Sequence, residues 1–188
     1  YLSQFFLALN DRYLNPRDIE SERKFIAAME ALRSMDKDHA AQYCSVILTE
    51  CIRIASASEE TDAVRHSAFG ILLHALHLLR SVEEDQKYET SILAVAHLKL
   101  DLSLSTIHLA FVHEWHSFIR EHCKDDAELS SLMFQELPYL SGVVLKSMAL
   151  SLGSELPASP YTDRSDWFPA EYQTELVRLI SSICSLLI

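Results

Sequence analysis

Apolar residues recur every three or four positions along most of the chain, which is the spacing of one face of an α-helix. The strongest example is the segment 62–82, which is apolar on nearly all sides and keeps only a narrow polar edge. A helix of this kind is normally surrounded by other helices. We therefore predict that residues 62–82 form the central helix on which the rest of the fold packs.

Capping residues mark the boundaries of the helices that precede it. Residues 1–14 predict a short amphipathic helix, and residues 39–57 predict a third helix. Between them, Asn15-Pro16 predicts the start of a second helix that ends near Met35, because Asn caps helices and Pro suits the first helical position. The spacing in the third helix predicts one buried face, made of Ala40, Tyr43, Val46, Ile47, Cys51 and Ile54.

Weaker signals surround the central helix. We expect Ser58 to cap its start and the acidic run 83–85 to form a solvated link after it. Residues 98–104 alternate between apolar and polar with period two, which is typical of a strand. A single strand would have no partner in a helical chain, so we favour a helix with a break or kink at this point.

The C-terminal half predicts four more helices. The first two cover residues 107–119 and about 126–137, and Pro138 either ends the second or begins the third. The third continues to Leu152 with Gly153 as its stop, and the last runs from Pro169 to the end of the sequence. Residues 154–168, which are rich in Ser and Pro, are predicted to form the one long loop.

These elements predict one all-α domain over residues 1–188 with about eight helices. Only three Gly and five Pro interrupt the periodic runs. Paired helices recur at roughly 40 residues, the period of an armadillo or HEAT-like stack, and a compact helical bundle is the alternative. The chain begins without Met and ends on apolar, periodic residues, so we expect a fragment of a larger protein.

The net charge limits the classes of partner that the chain can bind, and the cysteines indicate the redox environment. A net charge of −11 argues against nucleic-acid binding, because a phosphate backbone requires a basic surface. The sequence contains no run of 18 uncharged apolar residues, so we predict no transmembrane segment. The four cysteines include no Cys-x-x-Cys pair, and Cys44 and Cys51 would lie about 10 Å apart on one helix. Buried free thiols in a reducing cytoplasm are the expected state.

The polar side chains predict no catalytic, metal or cofactor site, so we expect that the protein is not an enzyme. His74 and His77 share a helix face, as do His113 and His116, but neither pair has the Glu-x-x-His spacing of di-iron bundles. We interpret them as polar-edge or hydrogen-bonded core histidines. Gly-rich phosphate loops and the Gly-x-Ser-x-Gly elbow are missing from the sequence. His122 and Cys123 are adjacent, so their side chains would point apart on a helix.

Two groups of aromatic residues suit binding or packing. Trp115 lies among apolar residues and is interpreted as part of the core. Tyr161, Trp167 and Phe168 belong to the long loop and are the candidate partner-binding residues, because Tyr and Trp are frequent binding hot spots. The competing interpretation is that Trp167 and Phe168 hold the final helix onto the core.

A pair of motifs within residues 143–183 resembles a known family. Lys146-Ser147-Met148-Ala149 lies on one helix, and Phe168-Pro169 starts the next about twenty residues later. This arrangement resembles the central helical region of the DOCK (dedicator of cytokinesis) family of Rho-GTPase exchange factors, in its zizimin-like branch. The match covers about a quarter of the chain, and Trp167 stands where the family usually has a basic residue.

The resemblance implies an armadillo-like region between the membrane-binding and exchange domains of the family, which positions them and contacts partners without exchanging nucleotide. We therefore expect a non-catalytic helical scaffold of a large cytoplasmic signalling protein, in the manner of a Rho-family guanine-nucleotide exchange factor. The alternative is a self-contained bundle that binds an apolar ligand or a partner helix in a groove lined by the 62–82 and 107–119 helices.

Overall fold

The computed structural model describes residues 1–86, 107–123, 126–155 and 170–185, and within these ranges all regular structure is helical. The helices are α1 (Leu2–Leu14), α2 (Ile19–Leu32), α3 (Lys37–Ala55), α4 (Asp62–Gln86), α5 (Ile107–Phe118), α6 (Ala127–Gln135), α7 (Leu137–Glu155) and α8 (Ala170–Ser185). A π-helical turn, Ile119–Cys123, follows α5 directly. The predicted all-α class with about eight helices is confirmed for the described residues.

The chain divides into two compact units, residues 1–98 and 99–188. The first unit contains α1 to α4, and the second contains α5 to α8. The single domain over residues 1–188 remains a prediction, as does the choice between a helical stack and a bundle.

In the first unit, α4 is the central helix that the apolar pattern predicted. It packs against α2 and α3, and α1 packs against α2. Its buried side chains lie on several sides of the helix and are Val64, Ala68, Phe69, Ile71, Leu72, Leu73, Ala75, Leu76 and Leu79. The helix continues to Gln86, so residues 83–85 extend α4 and the prediction of a link there was wrong.

Two helices, α2 and α4, are capped by residues other than those predicted, and α2 also begins later than predicted, at Ile19. The carboxylate of Asp18 accepts a hydrogen bond of 2.9 Å from the backbone N–H of Ser21, so Asp18 caps α2 and Asn15 instead ends α1. At α4, the Thr61 hydroxyl accepts from the backbone N–H of Val64 at 3.4 Å, in place of the predicted cap at Ser58. In both cases the side chain closer to the first helical turn reaches the unpaired N–H groups.

The buried face of α3 is rotated from the one that the spacing predicted. Ile47, Cys51 and Ile54 are buried as expected, whereas Tyr43 and Val46 are 39% and 43% exposed. Leu48, Ile52 and Ala55 complete the face that packs on α4. The face that packs on α4 is centred near Cys51 and Ala55, which leaves Tyr43 at its edge and Val46 outside it. The side chain of Ala40 lies outside the described residues.

In the second unit, Trp115 has the core position predicted for it. Its side chain is only 2% exposed, and its indole Nε1–H donates to the sulfur of Met133 in α6 at 3.0 Å. The helix that carries it, α5, packs against both α7 and α8. A buried indole N–H normally finds an acceptor, and the thioether supplies it here.

The helix boundaries of the second unit correct one prediction and resolve another. Pro138 is the second residue of α7, so it begins that helix, as Pro can in a first turn where its missing N–H costs nothing. Gly153 does not stop α7, which continues to Glu155. Residues 98–104 and residues 156–168 of the predicted loop lie outside the described residues.

Candidate interaction surface

The outward face of α1 carries large apolar side chains that are largely exposed in the part of the chain that the structure describes. Six residues at helical spacing form this face, which we call the outer seam: Ser3, Phe6, Leu7, Asn10, Tyr13 and Leu14. Leu7 and Leu14 are 71% and 72% exposed, Tyr13 is 53% exposed and Phe6 is 39% exposed. The seam contains no charged residue. Four large exposed apolar side chains on one helix face are the kind of patch that marks an interaction site.

The opposite face of α1 fixes the helix to the unit without help from the seam. Phe5 and Leu9 are buried, and the ring of Phe5 lies 5.8 Å from the ring of Phe25 in α2. Burying a side chain of this size contributes about 1.5–3 kcal/mol. The residues of the outer seam are therefore not needed to attach α1 to the unit.

A buried ion-pair cluster sets the rotation of α1 about its axis. Arg12 is 3% exposed, and its Nε and Nη2 atoms both donate to Oε2 of Glu60 at 3.0 Å. Nη2 also lies 3.4 Å from Oε2 of Glu22 in α2. A guanidinium has a fixed donor geometry, so these two carboxylates hold α1 in one orientation, with the outer seam facing away from α2.

Acidic side chains border the seam at its C-terminal end. The guanidinium of Arg53 lies 5.0 Å from the centre of the Tyr13 ring and pairs with Glu50 at 2.7 Å. Partial burial raises the pKa of the Tyr13 phenol above its usual value; Glu50, Glu60 and Glu59 raise it further, while Arg53 opposes them. Glutamates therefore lie near this end of the seam together with Arg53.

Sequence reasoning missed this surface. The pattern of residues 1–14 indicated one apolar face, and Phe5 and Leu9 do form it. The missed signal is a second set of apolar residues at three- and four-residue spacing, the pairs Phe6-Leu7 and Tyr13-Leu14. The predicted partner-binding residues, Tyr161, Trp167 and Phe168, lie outside the described residues.

The two histidine pairs occupy different units, on α4 and α5. His74 is half-buried, and the backbone of Arg33 at the end of α2 is its hydrogen-bond partner. Its Nε2 is buried, and no hydrogen-bond partner for that atom is found in the described part of the chain. Burial lowers the pKa of His74, so the neutral ring is favoured. This is a hydrogen-bonded core histidine of the kind the sequence indicated, whereas His77 and His113 are exposed.

The thiols that the structure describes differ in exposure. Burial raises the pKa of Cys51 to about 12 and that of Cys123 to about 11, which disfavours the reactive thiolate. Both are free and buried, as predicted, but Cys184 is exposed, so the expected burial is wrong for that residue. The ring of His122 packs beside that of Phe118, with the ring centres 4.9 Å apart and the planes tilted by 43°.

One serine and one histidine approach each other in the second unit. Nδ1 of His108 in α5 lies 3.1 Å from the hydroxyl oxygen of Ser147 in α7. Ser147 is 3% exposed, so its hydroxyl joins two packed helices instead of facing a substrate. It also belongs to the Lys-Ser-Met motif, where burial lowers the pKa of the neighbouring Lys146. Ser147 of this motif therefore contributes to the packing of α5 against α7.

None of the described helices combines the length and the apolar character that crossing a membrane requires. Comparison of the chain with protein-family models, with curated proteins and with solved structures gave no match.

Proposed function

We propose that the chain is a non-catalytic helical scaffold that binds other proteins, as a segment of a larger cytoplasmic signalling protein. The observation that carries this proposal is the outer seam of α1. Leu7, Tyr13 and Leu14 are each more than half exposed on a helix that Phe5, Leu9 and Arg12 already hold in place. Exposing so much apolar surface is unfavourable in water, and a partner that covers it removes that cost.

Buried polar and thiol side chains within each of the two units support a structural role. Arg12 is buried between Glu60 and Glu22, where it joins α1 to the rest of the unit. The buried thiols of Cys51 and Cys123 favour their protonated form, and Ser147 is buried against His108. The side chains of Arg12, Cys51, Cys123 and Ser147 are each buried within their own unit.

The parent protein that we propose is a Rho-family guanine-nucleotide exchange factor of the DOCK type. The support is the sequence resemblance over residues 143–183, in which Lys146-Ser147-Met148 lies on α7 and Leu179 is buried on α8. In such a protein the chain would be part of an armadillo-like stack. Its role would be to position the membrane-binding and exchange domains and to contact their partners.

The proposal is tested by affinity capture from cytosol with the full chain as bait, followed by mass spectrometry. The bait is compared with a double variant, Leu7→Glu with Leu14→Glu, and with a matched control, Val177→Glu on α8, where the side chain is 65% exposed. We expect a set of proteins that the double variant loses and the control keeps. Proteins of Rho pathways in that set would support the exchange-factor assignment.

Two results would contradict the proposal. The first is an identical set of captured proteins with the wild type and the double variant, provided that circular dichroism shows both to be folded. The second is turnover of a substrate by the chain alone, which would remove the non-catalytic part of the proposal.

A further inference from the structure

We propose that the outer seam binds an amphipathic helix of a partner protein, with Lys or Arg residues beside its apolar stripe. This inference rests on the proposed function and specifies the class of partner. The shape of the seam, the charges at its margin and its area support it.

The shape of the seam suits a helix. Its apolar side chains form two layers, Phe6-Leu7 and Tyr13-Leu14, about two turns or 10 Å apart. Helices pack by placing side chains from one helix between those of the other, and a partner helix with apolar residues at i, i+3 or i+4, and i+7 would contact both layers. Asn10 lies between the layers and offers a donor and an acceptor at the centre of the contact. A small-molecule ligand would need a concave pocket, and the seam is the convex face of one helix.

The margin of the seam determines the charge of the partner. Glu59 is exposed near Tyr13, and Asp11 lies beside Leu7 and Leu14 on the helix. Arg12 is paired with Glu60 and Glu22, and Arg53 with Glu50, while the exposed Arg17 adds one positive charge beyond Leu14. The excess negative charge at the margin therefore complements a basic partner, and the net charge of −11 for the whole chain would attract it over longer distances.

A second copy of the chain is a poorer occupant for two reasons. Antiparallel pairing of two seams around Asn10 would bring the Asp11 residues of both copies onto the same side of the contact, where like charges repel. The four large side chains also expose together roughly 400 Å², about half of what each partner contributes to a standard protein interface. Pairing of two seams alone would bury less than a stable dimer needs, so the contact has the size of a weak or transient complex.

The test is a titration of the full chain into a labelled model peptide, followed by fluorescence anisotropy. The peptide is a helix of Leu, Lys and Ala, with Leu at i, i+3, i+4 and i+7 and Lys on both sides of that stripe. A matched peptide carries Glu in place of every Lys. We expect the Lys peptide to bind at least tenfold more tightly at low salt, and this preference to shrink as salt screens the charges.

Variants of the chain separate the seam from general attraction between opposite charges. Leu7→Gln with Leu14→Gln should weaken binding of the Lys peptide at least tenfold, and Val177→Gln should leave it unchanged. Asp11→Asn with Glu59→Gln should weaken the Lys peptide and bring its affinity closer to that of the Glu peptide. Circular dichroism of each variant establishes that the helices remain folded.

Three results would overturn the inference: equal affinity for the two peptides, retention of the Lys peptide by the Leu7 and Leu14 variant, or a wild-type dimer in sedimentation that this variant abolishes. The last result would make a second copy the occupant. If cytosolic capture still depends on the seam while the Lys peptide fails, the proposed function stands and only the partner class is wrong.

Discussion

Helices α1 and α4 both carry apolar residues on more than one side, but α4 has most of its described apolar side chains buried, whereas α1 leaves several exposed. Within the first unit α4 packs against two helices, and Phe69, Leu72 and Leu73 are fully buried. Helix α1 packs mainly against α2, with Arg53 of α3 beside Tyr13, and leaves Leu7 and Leu14 more than 70% exposed. The same pattern of apolar residues therefore has two meanings. In a central helix it builds the core, and in a peripheral helix it leaves an exposed apolar surface, which we propose is covered by a partner.

Paired truncations in the two helices should show the largest contrast. Leu72→Ala removes a fully buried side chain from α4 and should lower the free energy of unfolding by about 2–5 kcal/mol. Leu14→Ala removes an exposed one from α1 and should change it by about 0.5 kcal/mol or less. Urea denaturation followed by circular dichroism measures both. Similar losses would mean that Leu14 is packed and that the seam is not a surface.

Removing the arginine that orients α1 should give the next largest effect. Arg12→Ala leaves the Glu60 and Glu22 carboxylates without their partner and should destabilise the unit by about 1–3 kcal/mol. The matched control is Arg33→Ala, whose partner Glu30 and own side chain are 44% and 51% exposed; its loss should cost below about 1 kcal/mol. Equal effects of the two substitutions would show that the Arg12 cluster does not set the position of α1.

The contact between α4 and the end of α2 should make stability depend on pH. Burial lowers the pKa of His74 in the folded chain, so the unfolded chain takes up this proton more readily. Stability should be complete above the unfolded pKa of about 6.5 and should fall as pH decreases below it, by at most about 1.4 kcal/mol per pH unit. Denaturation between pH 7.5 and 5 measures this. His74→Gln should flatten the dependence, whereas His77→Gln on the exposed side should preserve it.

A smaller effect should identify the residue that begins α2. Asp18→Ala removes the side chain that caps the N–H of Ser21 and should cost about 1 kcal/mol. Asn15→Ala removes an exposed side chain bonded to Asp11 at the end of α1 and should cost less. The reverse order, measured by denaturation, would restore Asn15 as the cap of α2.

The apolar pattern was sufficient to predict what lies at the centre of each unit. Helix α4 was identified because its apolar residues leave almost no polar face, and Trp115 because its neighbours at helical spacing are apolar. These predictions depend on local periodicity, which the packing of a central helix reproduces.

Predictions at the periphery required knowledge of which neighbours are present. Tyr43 and Val46 have the same spacing as Ile47 and Cys51, but α3 presents its other side to α4. Asn15 and Asp18 are both good caps, and the choice depends on which side chain can reach a free N–H. The outer seam was missed for the same reason, because Phe6 and Tyr13 differ from Phe5 only in whether another helix lies over them.

The most direct test of the seam is photo-crosslinking of the full chain in cytosol. A benzoylphenylalanine in place of Leu7 is compared with one in place of Val177, and the products are identified by mass spectrometry. We predict a product between position 7 and a basic helical segment of another protein, which added Lys peptide suppresses, and no such product from position 177. Products from position 177 alone, with none from position 7, would contradict the assignment of α1 as the interaction surface.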